Sequence, residues 1–302
     1  MELTRDRLEN LYDEWNRPEF VSPDPLETIL PYTDSADREV AALLAASLAY
    51  GRVAALLKPL RRALAVLGSS PRDYVENRPE AAMVADLDGV VHRFARPAHL
   101  AALLAGTGAA VRRNGSLEEA FLSGYRQGAG DSGDSDARSG CTSAAERIGK
   151  HADRAPDAFA GLAAMTEAIR CGAETDPGHL LARPGRGSAC KRLHLFLRWM
   201  VRKDAVDPGG WEHVDPARLF LPLDTWTHRI ALRAGWTDRK ASDARTVREI
   251  GRALSGINPE DPVKYDFALS RFGIRSGLDL DMLFDGGEAS LRRLRPMLRE
   301  GR

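Results

Sequence analysis

The sequence predicts an all-α protein. Its 302 residues contain no convincing run of alternating polar and apolar residues, and no Asn-Gly or Asp-Gly turn joins two β-branched segments. Apolar residues recur instead at intervals of three and four, and Ser, Asp, Pro and Gly stand where helices would begin or end. The hydrophobic content of 43% is sufficient for a sizeable buried core.

Residues that cap helices mark several of the predicted helix ends. Ser116 and Glu119 form an S-x-x-E capping box, and Gly68, Gly115 and Gly235 stand where a left-handed residue would end a helix. Helices are predicted over 4–15, 36–50, 52–67, 71–77, 97–113, 117–126, 157–171, 190–203, 225–234, 243–254, 262–272 and 288–299.

A segment rich in small and polar residues interrupts the helical pattern at 128–150. It includes GAGDSGDSDARSGCTSAA, which cannot bury enough apolar area to offset its chain entropy. We interpret it as a mobile insertion or linker between an N-terminal helical part, 1–127, and a second helical part, 151–302. Both parts are rich in alanine and leucine, so the sequence leaves open whether the segment separates two domains or loops out of one.

The charges balance, with 43 Lys and Arg against 43 Asp and Glu, so any attraction to nucleic acid must come from local patches. The N-terminus lacks the apolar segment of a secretory signal, and the most apolar stretch, 41–57, is interrupted by Arg52. We expect a cytoplasmic monomer with no membrane partner. Cys141, Cys171 and Cys190 are too few and too widely spaced for a disulfide framework or a four-thiolate metal site.

Positive charge concentrates in residues 183–203, RPGRGSACKRLHLFLRWMVRK, which hold seven basic side chains and no acidic one. The turn at 184–188 can present backbone amides beside a helix N-terminus, a combination that binds phosphate. The helix that follows has an apolar stripe at intervals of three and four, with Lys191, Arg198 and Arg202 on another face. A lysine in a basic run is more often a solvated surface residue than a nucleophile, so a second feature is needed.

The second feature is LPLDTWTHRIALRAG, residues 221–235. Asp224 stands where an N-cap is expected, and its carboxylate would accept a hydrogen bond from the amide of Trp226 or Thr227. Capping alone accounts for an aspartate at this position. It does not exclude chemistry, because the N-terminus of a helix favours negative charge.

A turn, a lysine and an N-cap aspartate in this order resemble the helix-hairpin-helix DNA glycosylase superfamily. Members carry L-P-G-x-G followed closely by a lysine, and later V-D-T-H-x-x-R with the essential aspartate. The counterparts here are RPGRG at 183–187, Lys191, and LDTWTHR at 223–229. The lysine comes two positions late, Trp226 replaces a common histidine, and Asp224 follows Lys191 by 33 positions. The long separation is similar to that of the archaeal 8-oxoguanine glycosylase branch.

The phrases SACKRLHLFLRWMVRKD, PLDTWTHR and NPEDPVKYDFAL also resemble an uncharacterised prokaryotic family distantly allied to these glycosylases, over about 36–274. The resemblance implies two helical lobes with a cleft between them, and a DNA glycosylase that is also an AP lyase. Lys191 would attack the sugar C1′ of a flipped nucleotide and form a Schiff base, and Asp224 would stabilise the sugar cation and help deprotonate the lysine.

The substrate stays open between an oxidised purine and a bulky modified pyrimidine of phage DNA, the second of which would turn repair into antiviral defence. The other class of function that remains is a non-catalytic helix-hairpin-helix protein that binds nucleic acid. No cofactor is expected, apart from a monovalent cation that the resemblance implies at the hairpin carbonyls. No catalytic metal is expected, since His194, His213 and His228 lack a compact ligand spacing.

Two further sets of residues complete the predicted site. The phosphate backbone would contact the hairpin and the basic helix face through Arg183, Gly185, Arg186, Gly187, Ser188, Arg192, Arg198 and Arg202. The base pocket would include Trp199, Trp226, His228 and Asp266. Asp266, in a helix that Asp261 would cap, could instead pair with an arginine such as Arg271, an alternative that we favour slightly.

Overall fold

The computed structural model describes residues 3–127, 156–274 and 280–284, and in these ranges the chain forms thirteen α-helices and no β-strand. This confirms the predicted all-α class. The helices are α1 Arg5–Trp15, α2 Ser35–Leu48, α3 Val53–Leu67, α4 Pro71–Asn77, α5 Glu80–Asp86, α6 Pro97–Asn114, α7 Leu117–Tyr125, α8 Ala158–Gly172, α9 Lys191–Val201, α10 Thr225–Arg233, α11 Ala244–Ile257, α12 Asp266–Ile274 and α13 Leu280–Phe284. None of these helices is both long and apolar enough to cross a membrane.

Most predicted helix ends lie within a few residues of the observed ones. Gly68 and Gly115 end α3 and α6 with φ of +70° and +93°, and the Ser116 hydroxyl accepts a hydrogen bond from the Glu119 amide at 3.0 Å. The prediction that Asp261 caps a helix starting at 262 is wrong, because 262–265 form turns and α12 begins at Asp266. The short helices α5 and α13 were not predicted. The predicted helix at 288–299 and the predicted insertion at 128–150 lie outside the described residues.

The buried apolar side chains form two clusters. The first cluster is built mainly from α2 to α9 and contains Leu44, Phe121 and Phe196. The second cluster combines α1 with α10 to α13 and contains Trp15 and Ile230. Helix α1 packs on α12, and α8 packs on α6 and α7. The division of the chain at 128–150 therefore does not coincide with the division of the core.

Candidate active site

Lys191 and Asp224 meet at the junction of the two clusters. The Lys191 Nζ lies 3.4 Å from the Asp224 Oδ2, and the side chains keep 39% and 31% of their surface exposed. Lys191 is the first residue of α9, whose apolar face belongs to the first cluster, and Asp224 precedes α10, which belongs to the second. Packing of the two clusters therefore sets the distance between the amine and the carboxylate.

The two oxygens of Asp224 have different partners. Oδ1 accepts a hydrogen bond from the Thr227 amide at 2.8 Å, and the Thr227 hydroxyl accepts one in return from the Asp224 amide at 2.9 Å. This reciprocal bonding confirms the predicted N-cap. Because the cap occupies Oδ1, Oδ2 is the oxygen that faces Lys191.

The predicted hairpin is an exposed turn directly before α9. A single 3₁₀ turn covers Pro184–Arg186, Gly187 follows with φ of +76°, and residues 185–188 are exposed. A Cβ atom built on Gly185 or Gly187 would meet no atom within 4 Å, so space above the turn is open to a large partner. The Gly187 carbonyl accepts a hydrogen bond from the Ala244 amide at 3.0 Å, which attaches the hairpin to the start of α11.

The residue before Lys191 also has an unusual backbone. Cys190 is buried and adopts φ of +47°, one of two non-glycine residues with positive φ in the described part of the chain. Left-handed conformations cost free energy for residues with a side chain and persist only where the surroundings hold them. The chain therefore makes a constrained turn immediately before the lysine.

Arg198 and Arg202 are buried in an ion-pair network, so the prediction that they bind DNA is wrong. Arg198 donates to Asp207 at 3.1 Å and to Asp266 at 2.5 Å, and Arg202 pairs with Asp207 and other carboxylates. The physical reason is the segment after α9, which folds back over the helix. The Trp211 amide donates to the Met200 carbonyl at 2.8 Å, and helical periodicity cannot reveal such a cover.

Three of the four predicted pocket residues have almost no accessible surface. Trp199 is completely buried, and the Nε2 of the buried His228 donates to the Arg239 carbonyl at 2.8 Å. The prediction that Trp199, His228 and Asp266 line an open base pocket is wrong for this reason. The favoured alternative for Asp266, an ion pair with an arginine, is confirmed, although the partner is Arg198 and Arg271 pairs with Asp24 instead.

Asp266 nevertheless lies near enough to Lys191 and Asp224 for both charges to act on its carboxyl group. Its Oδ2 binds Arg198, whereas its Oδ1 is buried and has no hydrogen-bond partner in the described part of the chain. Burial raises the pKa of Asp266 and the nearby Arg198 opposes this effect, while the charges of Asp224 and Lys191 shift it in opposite directions. The pair therefore interacts electrostatically with a buried carboxyl group at the start of α12.

Trp226 is the predicted pocket residue that stays partly accessible. Its Nε1 donates to the Leu269 carbonyl at 3.2 Å, and its ring packs so closely on Gly273 that a Cβ there would lie 2.0 Å from Nε1. The Arg229 guanidinium lies 5.5 Å from the ring centroid. Trp226 thus packs α10 on α12 and leaves part of its ring exposed near Asp224.

Of the other predicted phosphate contacts, Arg183 is exposed and lies 3.7 Å from Asp176, and Arg186 is exposed at the turn. Arg192 is half-buried. Its guanidinium donates to the carbonyls of Ser47 and His179, which engages these donors within the fold, and its contact with phosphate stays a prediction.

The residues around Arg192 were not predicted at all. The Tyr50 ring centroid lies 5.2 Å from the Arg192 guanidinium, and the Tyr50 hydroxyl lies 3.1 Å from the His179 Nε2. Tyr50 follows α2, 142 positions before Arg192 in the chain, and no spacing in the sequence connects them. Sequence reasoning therefore missed an aromatic cluster beside the site.

The described residues hold no group of three His, Cys, Asp or Glu side chains placed to bind a metal. A surface cavity of about 570 Å³ lies between the 25–28 turn and α3, lined by residues that include Glu27, Tyr32 and Arg61. It does not include Lys191 or Asp224.

Comparisons with known proteins place the chain in one family. No curated protein and no solved structure is significantly similar to it. Residues 24–275, which include the turn at 184–188, Lys191 and Asp224, match a family model. The chain belongs to the family described as "Protein of unknown function (DUF2400)".

Proposed function

We propose that this protein is a DNA glycosylase with AP lyase activity. The observation that carries the proposal is the 3.4 Å contact between the Lys191 Nζ and the Asp224 Oδ2, two partly exposed groups brought together from separate helices. An accessible amine beside a carboxylate is the arrangement that covalent catalysis by a lysine requires.

The chemistry assigns one role to each group. As the bond between C1′ and the base breaks, its electron pair leaves with the base, and the neutral Lys191 amine bonds to C1′. The ionised Asp224 carboxylate stabilises the positive charge that develops on the sugar as the base leaves, and it then accepts the proton that the amine releases after it has bonded to C1′. Opening of the sugar gives a Schiff base, and loss of a C2′ proton then expels the 3′ phosphate and cleaves the strand.

The exposed surface around the pair suits a DNA backbone. Arg183, Arg186 and the open glycine turn lie on the chain just before Lys191, where cations and free space favour phosphate. C1′ is inaccessible within stacked DNA, so the target nucleotide must rotate out of the duplex to reach the amine. Trp226 offers aromatic surface next to Asp224 for a base in that position.

For the substrate, we propose an oxidised purine first and a bulky modified pyrimidine of phage DNA second. The lysine is the common requirement for excision with strand cleavage of either base, so one assay covers both.

Borohydride trapping tests the proposal. We expect the wild-type protein to form a covalent adduct with a duplex from a panel that contains single oxidised purines, modified pyrimidines and abasic sites. Lys191→Gln should abolish the adduct. Lys203→Gln, which changes an exposed lysine beyond the other end of α9, is the matched control and should form it normally.

The opposite result would be tight DNA binding with no adduct and no released base for any duplex of the panel. It would favour the alternative, a helix-hairpin-helix protein that binds nucleic acid without catalysis.

A further inference from the structure

The most exposed large apolar side chain in the described part of the chain is Phe94, with 75% of its surface accessible. It lies at the tip of a tight turn in which His92 and Ala95 exchange backbone hydrogen bonds of 3.2 and 2.8 Å. Its neighbour Arg93 has φ of +52°, a conformation that side chains rarely adopt. The turn therefore presents an aromatic ring to solvent from a closely defined backbone.

A short series of contacts connects this tip to the candidate active site. The Phe94 ring lies 6.3 Å from the His179 ring in an edge-to-face arrangement. The His179 carbonyl accepts a hydrogen bond from Arg192, the residue after Lys191. The Tyr50 hydroxyl donates to the His92 carbonyl at 3.0 Å and lies 3.1 Å from the His179 Nε2. Phe94 is thus held beside the N-terminus of α9.

The surroundings of Phe94 are positively charged. Arg52, Arg93 and Arg96 are exposed near the turn, and none of them forms an ion pair with a carboxylate within the described residues. The Arg93 side chain lies over Gly51, where a Cβ would be 2.9 Å from its Nε, and Arg96 donates to the Arg93 carbonyl at 3.1 Å. An exposed aromatic ring among unpaired arginines matches a partner with stacking bases and phosphates.

We propose that Phe94 is a DNA wedge. Its ring would enter the base stack at the gap that the flipped nucleotide leaves, while Arg52, Arg93 and Arg96 contact the phosphates on either side. This inference rests on the proposed function, because the gap arises only if a nucleotide reaches Lys191. It assigns a second contact with the duplex to a turn about 90 positions before the turn at 184–188.

A binding experiment tests the wedge without any chemistry at Lys191. The probe is a short duplex with one tetrahydrofuran abasic site, compared with the same duplex fully paired, in the Lys191→Gln background. We expect tighter binding to the abasic duplex, and Phe94→Ala should reduce this preference about 5- to 150-fold, the range for loss of one base–aromatic stack. Phe94→Tyr should restore it.

Because Phe94 is so exposed, its replacement should leave folding intact. Leu30→Ala, at another exposed apolar residue, is the matched control and should bind as the parent does. Equal preference in Phe94→Ala and the parent, or no preference for the abasic duplex in the parent, overturns the wedge. Loss of the preference in Phe94→Ala together with no borohydride adduct from wild type would retain the wedge and overturn the lyase chemistry.

Discussion

Asp224 serves the fold and the proposed chemistry with different oxygens. Oδ1 and the backbone complete the cap of α10 through Thr227, and Oδ2 faces the Lys191 amine at 3.4 Å. The cap needs an oxygen acceptor, which asparagine also provides, whereas the proposed proton transfer needs a carboxylate. The two roles can therefore be separated by substitution.

We predict that Asp224→Asn folds with nearly wild-type stability but forms the trapped adduct about 100-fold more slowly or worse, which is the usual contribution of a positioned base. Asp224→Ala should lose the same activity and, in addition, about 0.5–2 kcal/mol of the free energy of unfolding, because it also removes the cap. Urea unfolding and single-turnover trapping measure the two effects. An Asn variant that traps at the wild-type rate would remove Asp224 from the chemistry.

At the scale of single residues, the sequence predicted positions that act locally better than positions that depend on distant contacts. The Asp224 cap follows from the sequence because a cap requires only the next three residues. The fates of Arg198 and Trp199 did not follow, because Asp207, Asp266 and the segment around Trp211 come from elsewhere in the chain to cover them.

At the scale of helices, α9 combines a partly exposed N-terminus, where the proposed nucleophile lies, with a buried remainder. Lys191 is partly exposed, whereas Arg198, two turns later, is 4% exposed between Asp207 and Asp266. An arginine in this position stabilises mainly by balancing carboxylates that are already buried. Arg186 lies on the exposed turn before α9 and balances no buried carboxylate among the described residues.

We predict that alanine substitution of Arg198 affects stability and that of Arg186 affects DNA binding. Arg198→Ala should lower the free energy of unfolding by about 3–5 kcal/mol, because it leaves buried carboxylates without their counter-charge. Arg186→Ala should change stability by less than about 0.5 kcal/mol, yet weaken DNA binding and reduce the slope of log K against log salt by about 1. Urea unfolding and salt-dependent binding measure both. Similar unfolding free energies for the two variants would contradict the assignment.

The length of the apolar stripe and the presence of a cap explain which helices could be predicted. Helices with a long apolar stripe or a clear cap, such as α9 and α10, were found within one or two residues. Helix α5 has only seven residues and begins at Glu80, after Pro79, which cannot cap it with a side chain, so neither signal was present. Helix α12 starts four residues after the Asp-Pro pair that predicted it, because turns take those residues.

At the scale of the whole molecule, neither cluster is one continuous piece of sequence. The Tyr12 hydroxyl of α1 donates to Asp204 at 3.0 Å, and Glu9 of α1 pairs with Lys264 at 2.6 Å. Such long-range pairings could not be predicted from periodicity, which reports the face of a helix but not its neighbour. They matter here because α9, which begins at Lys191, and α10, which Asp224 caps, pack in different clusters.

Glu39 of α2 links three distant parts of the first cluster and makes stability depend on pH. Its buried carboxyl accepts hydrogen bonds from the Leu117 amide and the Trp211 indole, both at 3.1 Å. Burial raises the pKa of Glu39 to about 7, although these donors and Arg72 oppose the shift. In the unfolded chain the group titrates near 4.5.

The sign of the effect follows from these two pKa values. Below pH 4.5 both states hold the proton; between pH 4.5 and 7 the unfolded chain loses it while the folded protein keeps it, so stability falls as pH rises. Above pH 7 both states are ionised and the loss, about 3 kcal/mol for a shift of this size, stays constant.

Glu39→Gln has no proton to lose. Its amide group faces two hydrogen-bond donors, which adds a cost independent of pH. We therefore predict that wild type loses about 3 kcal/mol relative to Glu39→Gln between pH 4.5 and 8, measured by urea unfolding at several pH values. A difference between the two proteins that does not vary with pH would mean that Glu39 is ionised in the folded core throughout this range.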